Sequence, residues 1–177
     1  AQRGGADAVS AINTIKAISA VDLDACIPLP NVGGKSSSSG YSGMAVKPFA
    51  LRFMADLAKS EELTIPVSGM GGLYTWVDAV EFLLLGATTL QCTTGILHHG
   101  YRIVEDMIEG LQDYMTDHGY SSVHEIIGRA VPNVVDPSEL SHAQQAISVI
   151  DEERCVGCGQ CYLSCRDGAA QAISLTK

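Results

Sequence analysis

Leu63-Thr-Ile-Pro-Val-Ser68 is an apolar run short enough for a buried strand, and Gly69-Met-Gly-Gly72 follows it at once. Thr75-Trp-Val-Asp78 then reads as a capping box that opens a helix over residues 76–85, with Gly86 as its stop. Thr88-Thr-Leu-Gln-Cys92 predicts the next strand, closed by Thr93-Thr-Gly95. Strand, Gly-rich turn, helix, strand is the signature of parallel α/β structure, whose ligands gather at the C-terminal ends of the strands.

The pattern extends in both directions. Upstream, Ala6-Asp-Ala-Val-Ser-Ala-Ile-Asn13 predicts a strand that ends in Asn13-Thr14. Residues 31–44 are rich in Gly and Ser and read as a linker or a ligand-facing loop. A helix follows from Pro48, with Leu51, Met54, Ala55 and Ala58 at helical spacing. Downstream, Ile103, Val104, Met107, Ile108, Leu111, Tyr114 and Met115 form one stripe of an amphipathic helix that Gly119 ends. Ser122-Val-His-Glu125 caps a short helix toward Ala130, and residues 131–148 read as a connector.

Composition narrows the function classes. The chain has 177 residues, with 46% hydrophobic and 18% charged, an ordinary globular balance. No apolar run approaches the roughly 20 residues of a membrane span, and the first residues carry no signal-peptide core. The formal charge of −9 speaks against a nucleic-acid grip, which needs clustered Lys and Arg. A reducing, cytoplasmic setting is expected.

Four of the six cysteines form the run Cys155-Val-Gly-Cys158-Gly-Gln-Cys161-Tyr-Leu-Ser-Cys165, spaced C-x2-C-x2-C-x3-C. Thiolates at this spacing suit a cubane iron–sulfur cluster, and a four-thiolate zinc knuckle is the alternative. The proline usual after the fourth cysteine is Arg166, and no cysteine follows it. Cys26 and Cys92 stand apart and read as core residues rather than nucleophiles, and His98-His99 as a solvated loop pair.

Gly69–Gly72 and Thr93–Thr94 together suggest a phosphate cradle of backbone N–H groups and hydroxyls, whereas Gly-Gly alone would suit a bare turn. Asn13 can offer an amide to a planar ring, or can serve as a simple turn or cap.

Several stretches together resemble one family. They are Asn13-Thr14, residues 39–52 from Ser39-Gly-Tyr-Ser-Gly43 to Arg52, Ile65–Gly72, Phe82-Leu-Leu-Leu-Gly-Ala87 with Leu90-Gln91, Gly100–Asp106, and the cysteine run. The family is the NAD-dependent dihydropyrimidine dehydrogenases of bacteria, in their catalytic subunit. The chain is also similar to the C-terminal part of the larger NADP-dependent animal enzyme. The resemblance covers almost the whole chain, and the order of barrel then cysteine run is specific.

The resemblance implies an α/β fold: the C-terminal portion of an FMN-binding (β/α)8 (TIM) barrel over residues 1–130, a connector over 131–148, and a partial ferredoxin-like [4Fe-4S] segment over 149–177. It implies reduction of uracil or thymine at the 5,6 double bond, with NAD(P)H oxidised on a flavoprotein partner subunit of a hetero-oligomer. Gly43, Met70, Gly71, Gly72, Thr93 and Thr94 match FMN-binding positions, the last five around the phosphate. Asn13 and Thr14 match positions that bond the pyrimidine. Cys155, Cys158 and Cys161 match ligands of one cluster and Cys165 a ligand of another. The family's general-acid cysteine has no counterpart here, at Cys26, Cys92 or elsewhere.

A whole barrel of this kind needs about 250 residues. The three strand–helix units of residues 1–130 therefore suggest a fragment that turns over poorly by itself. Two other readings stay open: a non-enzymatic iron–sulfur electron-transfer or assembly module, and a flavoenzyme of the dihydroorotate dehydrogenase kind.

Overall fold

A computed structural model describes residues 1–141, 149–168 and 172–174 of the chain. They fall into two units, Ala1–Asp136 and Pro137–Lys177, which are described separately. Residues 131–136, expected as the start of a connector, belong to the first unit; residues 142–148 of that expected connector lie outside the described residues.

In the first unit the strands and helices come in the order β1 (Val9–Ala11), β2 (Ile15–Ala17), β3 (Ala20–Asp22), β4 (Ile27–Leu29), β5 (Ser39–Tyr41), α1 (Lys47–Ala58), β6 (Val67–Met70), α2 (Trp76–Leu84), β7 (Thr89–Gln91), α3 (Thr94–His99) and α4 (Arg102–Asp117). Strands β1, β6 and β7 form a parallel sheet in that order. Ser10 pairs with Ser68, and Gly69 with Leu90. The expected parallel α/β units are therefore present, as three parallel strands and no complete barrel among the described residues.

The sheet has two unlike faces because strand side chains alternate. Val9, Ala11, Val67 and Leu90 point into a core built with Ala50 and Met54 of α1, Phe82 of α2, and Leu73 and Ala87. Phe82 is 0% exposed. A Cβ on Gly69 would sit 2.6 Å from the Phe82 ring, so only glycine lets α2 lie this close to β6. The opposite face is polar: the Gln91 amide donates to Ser10 Oγ at 2.8 Å and Ser68 Oγ at 3.0 Å.

Several local expectations need correction. Strand β6 starts at Val67 and runs through Gly69 to Met70, because the ladder to β1 and β7 continues past the apolar run. The Gly/Ser-rich stretch 31–44 is no plain loop, since Ser39–Tyr41 pairs antiparallel with Ile15–Ala17. Strands β3 and β4 form a hairpin whose turn is fixed by Asp22, which accepts the N–H groups of Asp24 and Ala25. Cys26 sits exposed at that turn with φ 55°, so its expected core place is wrong. Thr94–His99 is a helix, so His98 and His99 end a helical turn instead of lying in a loop.

In the second unit, α5 (Gln160–Asp167) carries Cys161 and Cys165, and Cys155 and Cys158 precede it. No helix of the described residues is long and apolar enough to cross a membrane.

Candidate functional site

A cavity of about 340 Å³ opens at the C-terminal ends of β1, β6 and β7. Its lining contains all eight residues singled out from the sequence: Asn13, Thr14, Gly43, Met70, Gly71, Gly72, Thr93 and Thr94. They come from segments far apart in the chain, and the parallel register brings them together. Ile12 N–H bonds to Met70 O at 2.9 Å, which carries the β1–β6 ladder to the rim and sets Asn13 beside Met70 and Gly71.

The glycines give one end of the cavity its shape. Gly71 and Gly72 have φ of 119° and 85°, a region open to glycine but strained for other residues. A Cβ on Gly72 would lie 2.9 Å from the Lys47 backbone nitrogen and 3.0 Å from Gly43 O. Gly43, at φ 93°, faces the Tyr74 hydroxyl and the Thr94 methyl. Thr93 is the residue before α3 and Thr94 its first residue, so both hydroxyls stand at the end of β7. Three glycines and two hydroxyls thus border a recess with no bulky side chain from those five positions.

Asn13 lies on the rim where β1 ends. Its side-chain oxygen accepts the Thr14 N–H at 2.7 Å and the Thr14 hydroxyl at 3.3 Å. The amide oxygen is therefore engaged locally, and the amide NH2 has no protein acceptor among the described residues. Asn13 offers a donor to a ligand, which suits a ring carbonyl. Thr14 packs against Gly40 of β5, where a Cβ would collide with its side chain.

Tyr41, Ser42, Gln91, Leu73 and Leu97 also face the cavity. Tyr41, Ser42 and Gln91 fall in stretches that carry the resemblance without a site role expected of them, and Leu73 and Leu97 had no signal in the sequence. Cys92 lines the cavity while packing against the core, and its thiol donates to Leu73 O at 3.3 Å. Nearby, Tyr74 Oη lies 3.1 Å from His98 Nδ1. Burial, and then the neighbouring Cys92, push the Tyr74 phenol above its ordinary pKa.

Behind the glycine loop stands an ion cluster. The Lys47 ammonium donates to Asp78 Oδ1 at 2.6 Å and Glu81 Oε2 at 2.9 Å. Asp78 Oδ2 accepts the N–H groups of Tyr74 and Thr75, each at 2.8 Å. Asp78 is 6% exposed. Burial raises its pKa, but the Lys47 bond and the two N–H donors outweigh that and leave it below the usual carboxylate value. The same two carboxylates hold the Lys47 pKa up.

The cavity fits a flavin mononucleotide in kind: apolar walls at Ile12, Val46, Leu73 and Leu97, the donor amide of Asn13, and a glycine-and-hydroxyl recess. The cysteines fit an iron–sulfur centre by donor chemistry. All four are free thiols, and Gly157 and Gly159 have φ of 66° and 73°, which lets the chain wrap. Their convergence is not preformed, since no three His, Cys, Asp or Glu gather to hold a metal among the described residues. Cys165 Sγ instead accepts the Ala172 N–H at 3.1 Å.

Comparison with known proteins agrees with both parts. Residues 2–115 match the dihydroorotate dehydrogenase family model, and residues 148–171 match the 4Fe-4S binding domain. The chain is 53% identical over 174 residues to the NAD-dependent dihydropyrimidine dehydrogenase subunit PreA of Escherichia coli, covering 98% of this chain and 42% of the relative. It is 50% identical over 131 residues to the catalytic subunit of dihydroorotate dehydrogenase B (NAD(+)) of Pyrococcus abyssi, covering 74% of this chain and 42% of the relative. To the chloroplastic dihydropyrimidine dehydrogenase (NADP(+)) of Arabidopsis thaliana it is 36% identical over 149 residues, covering 81% and 34%. The chain thus spans less than half the length of these curated relatives. With its matching segment holding the sheet, the cavity and the glycine loop, the chain belongs to the dihydroorotate dehydrogenase family.

Proposed function

We propose that this chain is part of an FMN- and iron–sulfur-dependent dihydropyrimidine dehydrogenase that reduces uracil or thymine with electrons from NAD(P)H. The observation that carries the reading is the convergence of Asn13, Thr14, Gly43, Met70, Gly71, Gly72, Thr93 and Thr94 on one cavity. The choice of pyrimidine over dihydroorotate rests on reach. The match to the dihydropyrimidine dehydrogenase subunit takes in 98% of the chain, against 74% for the dihydroorotate enzyme. The longer match supports counting the cysteine run as part of the same machine.

In this reading the first unit is the C-terminal part of a (β/α)8 barrel and residues 149–177 a partial ferredoxin-like segment. Gly43, Met70, Gly71, Gly72, Thr93 and Thr94 would hold FMN, with the phosphate over the glycine loop. FMN, when bound, supplies hydride transfer, and a [4Fe-4S] centre supplies one-electron relay. Cys155, Cys158, Cys161 and Cys165 would be thiolate ligands, and a NADH-oxidising flavoprotein subunit the electron donor in a cytoplasmic hetero-oligomer.

The chain's own residues do the positioning. The Asn13 NH2 donates to a ring carbonyl, and the Thr14 bonds that fix its oxygen keep that donor aimed. The recess excludes bulk from the phosphate end. Neither Cys26 nor Cys92 matches the family's acid, so the role proposed for this chain's residues is binding and orientation. Among the described residues the outer edges of β1 and β7 carry no further strand, and slow turnover of the isolated chain is expected.

A visible spectrum of anaerobically purified protein, followed by competition binding, tests this reading. Flavin absorbance at about 450 nm with uracil outcompeting orotate is expected. Broad brown absorbance without flavin would favour a plain electron-transfer module, and orotate outcompeting uracil would favour the dihydroorotate reading.

A further inference from the structure

The Gly71–Gly72 loop has a support that the cavity does not show. Lys47 touches it twice. The Lys47 backbone nitrogen and Cβ abut Gly72, within 3 Å of where a Cβ would lie. Its ammonium then reaches past the loop to Asp78 and Glu81 of α2. Asp78 in turn captures the N–H groups of Tyr74 and Thr75, the residues that carry the loop into α2. The start of α1, the exit of the glycine loop and the start of α2 are thereby tied at one carboxylate. Neither Lys47 nor Asp78 lines the cavity.

We propose that Lys47 and Asp78 are positioning residues that hold the Gly71–Gly72 loop open from behind, so that the phosphate monoester of a flavin ligand meets a preorganised recess. This rests on the phosphate end of the proposed site. The loop has two consecutive glycines and hence wide backbone freedom in isolation. Binding a phosphate to a free loop would require ordering it at that moment, and a clamp made in advance removes that cost. Asn13 and Thr14 belong to a different segment, after β1, and bond to neither Lys47 nor Asp78.

The sign of the charge effect separates positioning from simple electrostatics. Removing the Asp78 charge makes the surroundings of an anion more positive, so Coulomb attraction alone would tighten phosphate binding. Loss of positioning weakens it. The test is titration of FMN and of riboflavin, which lacks the phosphate, into the full chain and its variants.

For the unaltered chain, FMN should bind at least about tenfold more tightly than riboflavin. Asp78→Asn and Lys47→Met should each lower FMN affinity about five- to tenfold and leave riboflavin within about twofold. Lys47→Arg, which keeps a cation for both carboxylates, should restore most of the preference. Glu81→Gln, at the more exposed partner, should change the ratio less than about twofold. If Asp78→Asn does not fold, judged by a thermal melt, Lys47→Met carries the test at low and high salt: a loss that salt screens away is Coulombic and overturns the clamp, and a loss that persists is positional.

An Asp78→Asn chain that keeps or strengthens its preference for FMN would overturn the clamp and leave the phosphate site standing. Equal affinity of the unaltered chain for FMN and riboflavin would overturn the phosphate site and the clamp with it.

Discussion

The cavity wall made by Gly43, Gly71–Gly72 and Thr93–Thr94 is backed by the helices α1 and α2, whereas the wall made by Asn13–Thr14 and Tyr41–Ser42 brackets the largely exposed strands β2 to β5. Behind the first wall lie Ala50, Met54, Leu73 and Phe82, all buried, and the Lys47–Asp78 pair. In the second region, no residue between Asn13 and Ser42 is buried. Leu23 and Val32 are 85% and 88% exposed. One wall is held by packing and the other by short hydrogen-bonded ladders. Local opening follows a lack of buried apolar contact, so the Asn13–Ser42 side is the one that opens more readily. The glycine-loop wall is the fixed one.

That contrast can be broken at its strongest point first. Phe82→Ala removes a fully buried ring under β6 and should cost about 3–5 kcal/mol in a denaturant titration. Leu23→Ala, in the hairpin turn, should stay within about 0.5 kcal/mol. Comparable losses at the two sites would show that the hairpin region is packed after all.

Gly72→Ala comes next. It forces a left-handed backbone on alanine and drives a methyl group toward the Lys47 backbone. A loss of about 2 kcal/mol in stability is expected, with weakened FMN binding. Unchanged FMN affinity would remove the glycine loop from the site.

Asn13→Ala should separate the walls from the other side. Asn13 is exposed, so the melting temperature should hold. Affinity for uracil should fall by about 1 kcal/mol, the worth of one neutral hydrogen bond. A stability loss without an affinity loss would reassign Asn13 to a structural turn.

The smallest effect is the pH dependence of the clamp. The Asp78 pKa is lower in the folded chain than in the unfolded one, so the unfolded state binds its proton first as pH falls. Its stabilisation is present above the ordinary carboxylate pKa and is lost as pH drops through the lower folded value. Lys47 is shifted upward, so its share is full below the ordinary lysine pKa and is lost as pH rises through the higher folded value. Stability measured against pH should show an acid limb that Asp78→Asn flattens. An unchanged limb in that variant would assign it to other carboxylates.

The same contrast explains how much of the molecule was legible in the sequence. The helix-backed side could be read because burial imposes a pattern: Leu51, Met54, Ala55 and Ala58 recur helically, and Thr75 to Asp78 forms the capping box that the structure contains. The glycines and threonines of the site were visible because they interrupt apolar runs at strand ends. Strands β2 to β5 were invisible for the opposite reason. Ala20–Asp22 is exposed throughout, so no alternation marks it, and its partner Ile27–Leu29 is selected by hydrogen bonding. Cys26 was misplaced because cysteine is so often buried, while here a turn with φ 55° puts it outside. The six-residue α3 was hidden because Thr93-Thr-Gly95 reads as a turn. Asp78 was legible as a cap but not as the partner of Lys47, which lies 31 positions away.

The most direct measurement is a crystal structure of the chain with FMN bound. The phosphate should lie within hydrogen-bonding distance of the Gly71–Gly72 backbone and the Thr93–Thr94 hydroxyls, with the ring system directed toward Asn13. A flavin seated elsewhere, or one whose phosphate points away from the glycine loop, would contradict the site.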